Sequence, residues 1–254
     1  MDSFDLTGRV ALVTGASSGL GRHFALTLAA SGATVALVAR RVDRLAALEE
    51  EIVASGGSAL AVPCDVSDRN AILGALSQIE ESLGRVTILI NNAGLAGTHG
   101  FLDAPPEETA QVAAVNQNAV WDMAQLVCQR LVKAKAGGAV VNISSITGLR
   151  AVGGAASYAV SKAAVAHMTR IQALELARYG IRVNAIAPGY FETELTQEFL
   201  SSEAGVKLRQ RIPMKRIGRL EELDGLLLLL ASDAGSFITG TVIPVDGGHL
   251  LSSL

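Results

Sequence analysis

Charge of one sign is what these 254 residues most plainly lack. Lys and Arg number 21 against 24 Asp and Glu, a formal net charge of −3. A nucleic-acid binder carries a basic excess, so no nucleic-acid partner is expected. No run of like charges marks an interaction tail. Cysteine is scarce too. Cys64 and Cys128 lie far apart and form no CxxC pair, which excludes a disulfide framework and reads as two inert thiols. The histidines, His23, His99, His167 and His249, have no metal-ligand spacing, so no metal is expected. Long apolar runs are missing: the longest aliphatic block, from Leu226 to Ala231, is far short of the ~20 residues a membrane span needs. The opening MDSFDLTGR has neither the basic start nor the apolar stretch of a signal peptide. These absences together predict a cytoplasmic protein with no membrane partner. Aromatic residues make up only 4% of the chain, which gives no indication of a flat steroid platform.

What is present is aliphatic. Half of the residues are apolar, enough for one sizeable core, and residues 1–254 read as a single domain. Short β-rich runs at 10–14, 34–39, 58–63, 87–91, 139–143, 181–186 and 241–245 alternate with segments of helical period. The helices are expected at 19–31, 42–55, 68–83, 106–134, 155–179 and 221–232. Such alternation predicts an α/β fold: a doubly wound parallel sheet of about seven strands with helices on both faces. The polar stretch at 192–211 is expected to be helical, and residues about 190–212 are a candidate substrate lid. Leu223, Leu226, Leu227 and Leu230 form a helical stripe that suits either core packing or assembly.

The first strand runs into Thr14-Gly15-Ala16-Ser17-Ser18-Gly19-Leu20-Gly21. Glycines let the backbone turn tightly and approach a ligand, and the helix that follows offers free N–H groups to a pyrophosphate. The spacing is GxxxGxG rather than the general GxGxxG. Further along stand Asn91-Asn92-Ala93-Gly94, Asn116, Ser145, Tyr158 with Lys162, and Pro188-Gly189. In that order and spacing the chain resembles the short-chain dehydrogenase/reductase family over essentially its whole length, most nearly its 3-oxoacyl-thioester and carbonyl reductases.

That resemblance implies a nicotinamide-dependent enzyme interconverting a ketone and a secondary alcohol. It implies Tyr158 as general acid/base, with Lys162 one helical turn away to favour the phenolate. It implies that Ser145, rather than its neighbour Ser144, bonds the substrate oxygen. It also implies that Asn116, rather than Asn118, holds a water linked to Lys162. Cofactor contacts implied are Gly15, Ser17, Ser18, Gly19, Leu20 and Gly21 at the phosphates, and Asp65 and Val66 at the adenine. Asn92, Ala93 and Gly94 fall along the ribose side; Tyr158 and Lys162 stand near the nicotinamide, beside Pro188, Gly189, Phe191 and Thr193. Asn91 and Asn92 equally suit strand bracing.

An acidic residue ending the second strand would select NAD, and an arginine beside it a 2′-phosphate. Here Ala39 takes the acidic position and Arg40 and Arg41 follow, so NADP(H) is favoured over NAD(H). Asp43 could hold Arg41 in a surface pair. The substrate wall is expected from Leu95, Ala96, Ile146, Thr147, Val152, Gly153 and Tyr190. Arg150 in the same loop reads as a solvated arginine or as a partner for a carboxylate. Keto sugar acids, 3-oxoacyl thioesters and small ketones remain open as substrates. A non-catalytic dinucleotide sensor on this fold is the rival from a different class. The family's common assembly is a homotetramer.

Overall fold

The computed structural model describes residues 3–193, 196, 200 and 202–252. Its strands are β1 (Val10–Thr14), β2 (Thr34–Ala39), β3 (Ser58–Pro63), β4 (Val86–Asn91), β5 (Gly138–Ile143), β6 (Ile181–Pro188) and β7 (Val242–Val245). They form one sheet in the order β3-β2-β1-β4-β5-β6-β7, every neighbouring pair parallel. Every residue of β1 and nearly every residue of β2 and β5 is buried, as strands covered on both faces require. The connections leave β1 in opposite directions, toward β2 on one side and β4 on the other. A crevice therefore opens at the carboxyl ends of β1 and β4.

Helices α1 (Gly19–Ala30), α2 (Val42–Ala54), α3 (Arg69–Leu83), α4 (Pro106–Ala113), α5 (Ala119–Lys133), α6 (Ala156–Leu176), α7 (Glu203–Arg211) and α8 (Asp224–Ala231) cover the sheet. α2 buries Leu45, Leu48 and Ile52 at helical spacing. α3 starts where Asp68 accepts a bond from the Asn70 N–H, at 2.8 Å. One apolar core joins α1, α2 and α8 to one face of the sheet; a second joins α3 and α5 to the other. Leu223, Leu227 and Leu230 are fully buried in the first core, so that stripe is packing, not an assembly surface. Each such leucine is worth about 1.5–3 kcal/mol in burial. Among the described residues no helix is long and apolar enough to cross a membrane.

Two expectations change. The long helix at 106–134 is interrupted by a π turn, Ala114–Asn118, in which the Ala119 N–H bonds the carbonyl of Ala114. One extra residue in a turn leaves the apolar period of each flank intact, so the pattern alone did not reveal it. Within the polar stretch at 192–211, Glu203–Arg211 form α7, capped by the Ser202 side chain at 3.2 Å from the Gly205 nitrogen, and Leu200 is helical as well. Residues 194, 195, 197–199 and 201 of the candidate lid lie outside the described residues.

Candidate active site

The glycine turn after β1 is shaped by its neighbours. Gly15 and Gly19 have φ of 69° and 54°, a left-handed backbone that side chains resist. A Cβ on Gly15 would stand 2.9 Å from Ala93 Cα, and one on Gly21 would overlap the Gly15 carbonyl and the Asn92 amide. Asn92 causes this tightness: its Nδ2 donates to the carbonyl of Thr14 at 3.0 Å. Thr14 answers with its hydroxyl, which accepts from the backbone N–H groups of Asn92 and Ala93, both at 3.0 Å. Asn92 therefore acts through the turn, and Gly21 gives room to the turn rather than lining the cleft. Thr14 was not singled out in the sequence. Its signal would have been a hydroxyl at the buried end of a strand, where an apolar residue is expected. Asn91 braces β4 against β5 through Asn142 Oδ1 at 2.9 Å.

A cleft of about 610 Å³ runs over the carboxyl ends of the strands. Gly15, Ser17, Ser18, Gly19 and Leu20 line one end with Arg40, Arg41, Asp65 and Val66. Asn92, Ala93 and Gly94 lie between, and Ser145, Tyr158, Lys162, Pro188, Gly189, Phe191 and Thr193 close the other end. The residues present fit an elongated dinucleotide: the turn admits no side chain at Gly15 or Gly21, and Ser18 at the start of α1 makes no capping bond with its hydroxyl. Phe191 lines this end while its ring is buried in the core against Gly218.

Arg41 does not pair with Asp43. Its Nε and Nη2 donate to the Ser17 hydroxyl at 3.2 and 2.8 Å, and Nη2 reaches the Ser18 hydroxyl at 2.7 Å. The guanidinium thus lies on the phosphate turn itself. Asp65 is bonded by the Ser67 hydroxyl and N–H, which hold its carboxyl below the usual range, helped by nearby Arg40.

At the other end the two serine rivals separate. Ser144 donates to the carbonyl of Lys162 at 2.9 Å and so ties β5 to α6. Ser145 Oγ accepts from the Thr147 N–H and hydroxyl at 3.2 and 3.0 Å, and its hydroxyl is near enough to the Tyr158 phenol to favour the phenolate. Lys162 is wholly buried; its ammonium donates to the Ile143 carbonyl at 2.9 Å and stands 5.6 Å from the Tyr158 ring centre. Burial pushes this ammonium down from 10.5 to about 8.

The expected lowering of Tyr158 is not found in the chain alone. Burial raises the phenol above its ordinary value of 10, the Ser145 bond pulls it down, and Tyr190 adds a further rise. Desolvation of the phenolate outweighs the rest.

Asn116 is fully buried at the centre of the π turn, whereas Asn118 is exposed. Its Oδ1 accepts from the Leu95 N–H at 2.7 Å, and its Nδ2 donates to the Leu95 carbonyl and to Ser161 Oγ at 2.9 and 3.1 Å. Ser161 in turn donates to the carbonyl of Tyr158 at 2.7 Å. The Asn116 side chain is thus committed to the loop after β4. Ser161, three residues after Tyr158, was missed; a hydroxyl on the buried face of α6 was its only signal.

The substrate wall is smaller than expected. Leu95 and Ala96 line the cleft; Ile146, Thr147, Val152 and Gly153 do not. Tyr190 lines an adjoining cavity of about 360 Å³ instead. Arg150 is half-buried, and its Nη1 donates to the carbonyls of Leu250 and Ser252 at 3.2 and 3.1 Å.

Comparison with known proteins agrees with this geometry. A family model described as Enoyl-(Acyl carrier protein) reductase matches residues 15–249. The chain is 38% identical over 252 residues to 5-keto-D-gluconate 5-reductase of Escherichia coli, covering 99% of each. It is 37% identical over 246 residues to the 3-oxoacyl-[acyl-carrier-protein] reductase FabG of Thermotoga maritima, covering 97% of this chain and 99% of that one. Among solved structures, a gluconate 5-dehydrogenase from Burkholderia cenocepacia in complex with NADP and tartrate superimposes with a TM-score of 0.95, at 34% identity and 99% coverage of both chains.

Proposed function

The chain belongs to the short-chain dehydrogenase/reductase family, and from that premise we propose that it is an NADP(H)-dependent reductase of ketones that works through Tyr158. It is an oxidoreductase of the CH–OH/keto pair. The observation that carries the mechanism is the meeting of Ser145, Tyr158 and buried Lys162 at one end of a glycine-lined cleft.

Bound in that cleft, the cofactor supplies hydride to the carbonyl carbon, or accepts it, and carries a positive charge when oxidised. Ser145 Oγ bonds the substrate oxygen and fixes it beside the phenol. Tyr158, held protonated by burial, donates its proton to that oxygen in reduction. The Lys162 ammonium stabilises the resulting phenolate, and with a value near 8 it can return a proton close to neutrality. Asn116 and Ser161 fix the turn of α6 that carries Tyr158. The test is NADPH oxidation, followed optically, with 5-keto-D-gluconate, a 3-oxoacyl thioester and simple ketones. Cofactor binding without turnover of any of them would favour the sensor.

The preference for NADP(H) rests on Arg41, seated on Ser17 and Ser18, with Arg40 beside it and Ala39 in the acidic position. A 2′-phosphate there gains charge-assisted bonds worth about 1.5–3 kcal/mol each. Ala39→Asp combined with Arg41→Leu is expected to lower the NADPH-to-NADH ratio of kcat/KM by about a hundredfold or more. An unchanged ratio in steady-state kinetics with both cofactors defeats the assignment. For assembly we favour a homo-oligomer of cytoplasmic type. Trp121 on α5, Val160 and Leu174 on α6, and Phe237 before β7 are exposed apolar groups on the outer faces; light scattering tests the tetramer.

A further inference from the structure

The hydroxyl of Ser145 has little freedom before any substrate arrives. Ser145 follows β5 and caps the short turn Ile146–Gly148. That turn is firmly framed. The Gly148 N–H donates to the Ser145 carbonyl at 3.0 Å, and the N–H groups of Leu149 and Arg150 both reach the Ile146 carbonyl at 3.0 Å. A Cβ on Gly148 would stand 2.5 Å from the Lys162 carbonyl carbon, so the turn lies flush against the stretch of α6 that carries the lysine.

Within this frame Thr147 bonds Ser145 twice. Its N–H donates to Ser145 Oγ at 3.2 Å and its hydroxyl donates at 3.0 Å. A serine hydroxyl has two acceptor lone pairs and one proton. Both lone pairs are engaged, and only the proton is left to give. Its acceptor must come from the cleft that Ser145 and Tyr158 line together. The phenol agrees with that direction, since the Ser145 bond favours the Tyr158 phenolate, as donation to its oxygen does. Thr147 is half-buried and is not among the residues that line the cleft.

We propose that Thr147 is a positioning residue that locks Ser145 as a hydrogen-bond donor toward the reacting oxygen. The assignment rests on the ketone reductase reading above and adds to it a residue that acts only through Ser145. A carbonyl oxygen accepts, and it accepts more strongly as hydride turns it into an alkoxide. A fixed donor is therefore worth most in the transition state. In the reverse direction the lock removes a wrong arrangement. An alcohol cannot give its proton to Ser145, whose lone pairs are taken, and must point it at Tyr158. Valine has the shape of threonine without the hydroxyl. In its presence the N–H bond alone would hold Ser145, and the freed lone pair would let the serine accept as well as donate.

The experiment follows NADPH oxidation by the full chain with the fastest ketone of the panel above. It compares wild type, Thr147→Val, Thr147→Ser, Ser145→Ala and the double variant Ser145→Ala with Thr147→Val. Single-turnover mixing at saturating NADPH reads the slow ones. Thr147→Val is expected to lower kcat by about fivefold or more with KM within about twofold. Thr147→Ser keeps the hydroxyl and is expected to stay within about twofold of wild type. In the Ser145→Ala background Thr147→Val is expected to cost nothing further, since no hydroxyl is left to orient. A residue that merely packs the turn would cost the same in both backgrounds, so equal losses overturn the lock. A Thr147→Val rate within about twofold of wild type overturns it too, as does a loss that Thr147→Ser shares. Should the valine variant fail to fold, Thr147→Ala replaces it with the same outcomes required. If wild type reduces no ketone, the reductase reading fails and the lock falls with it. If wild type turns over and the losses are equal, the lock alone fails.

Discussion

Tyr158→Phe is expected to lower turnover of every ketone substrate by about 10³-fold or more while NADPH affinity stays within about twofold. Phenylalanine keeps the ring and its packing but has no proton to give. Ser145 and Lys162 remain in place, so a substrate oxygen is still bonded yet left without its acid. The loss should therefore fall on kcat, with KM little changed. Stopped assays of NADPH consumption give the rate, and fluorescence titration of the cofactor gives the affinity. Turnover within about tenfold of wild type would remove Tyr158 from the centre of the mechanism. Because burial holds the phenol above 10, alcohol oxidation, which needs the phenolate, should quicken with rising pH, whereas reduction should not.

Lys162→Met is expected to do two opposite things: abolish most turnover and stabilise the fold. The ammonium falls from 10.5 to about 8 because burial penalises its charge. That drop corresponds to about 3 kcal/mol of penalty while the lysine is charged. Methionine fills similar space without charge. It leaves the Ile143 carbonyl without its bond, at a cost of about 1 kcal/mol. The net gain of about 2 kcal/mol corresponds to a rise in Tm of about 4–8 °C near pH 7. The sign with pH follows from a depressed value. Between about 8 and 10.5 the unfolded chain binds the proton that the folded chain has released, so wild-type stability climbs with pH in that window. The gap between variant and wild type should close over the same window. Thermal melts without cofactor at pH 7 and pH 10 test this; a lower Tm for the variant at pH 7 overturns the account of the buried charge.

Much of the fold was legible because its strands are apolar on both faces. The boundaries of β1 and β2 coincide with the aliphatic runs at 10–14 and 34–39, since burial on two faces demands such runs; the edge strand β3 also matches its run at 58–63, although most of it is only partly buried. The order of motifs carried the cleft, where the glycine turn, Ser145, Tyr158 and Lys162 meet. Less legible were features made by backbone geometry or by distant partners. The π turn leaves no trace in the apolar period. Thr14 and Ser161 act by bonding backbone groups, and a hydroxyl that does so looks like any other in a sequence. Arg41 looked ready to pair with Asp43 beside it, but Ser17 and Ser18, brought close by the packing of β1 against β2, hold it instead. Tyr158 shows the same limit in energy: the charge beside it was visible, while the desolvation that outweighs it depends on everything packed around it.

The π turn at Ala114–Asn118 has a consequence for how this chain tolerates change in length. It contains one residue more than an α-helical path between the same ends. Loss of any single residue from 114–118 would let α4 and α5 join as one regular helix, an outcome that backbone hydrogen bonding alone would favour. That repair would leave the faces of α4 and α5 nearly where they are, because the widened turn absorbs its extra residue locally, but it would re-aim the side chains within the turn itself. Asn116 would swing away from Leu95 and Ser161, and with it the support of the turn carrying Tyr158. Substitutions at exposed positions of this segment are mild by comparison. The segment is thus a register mark, in which the number of residues matters more than most of their identities.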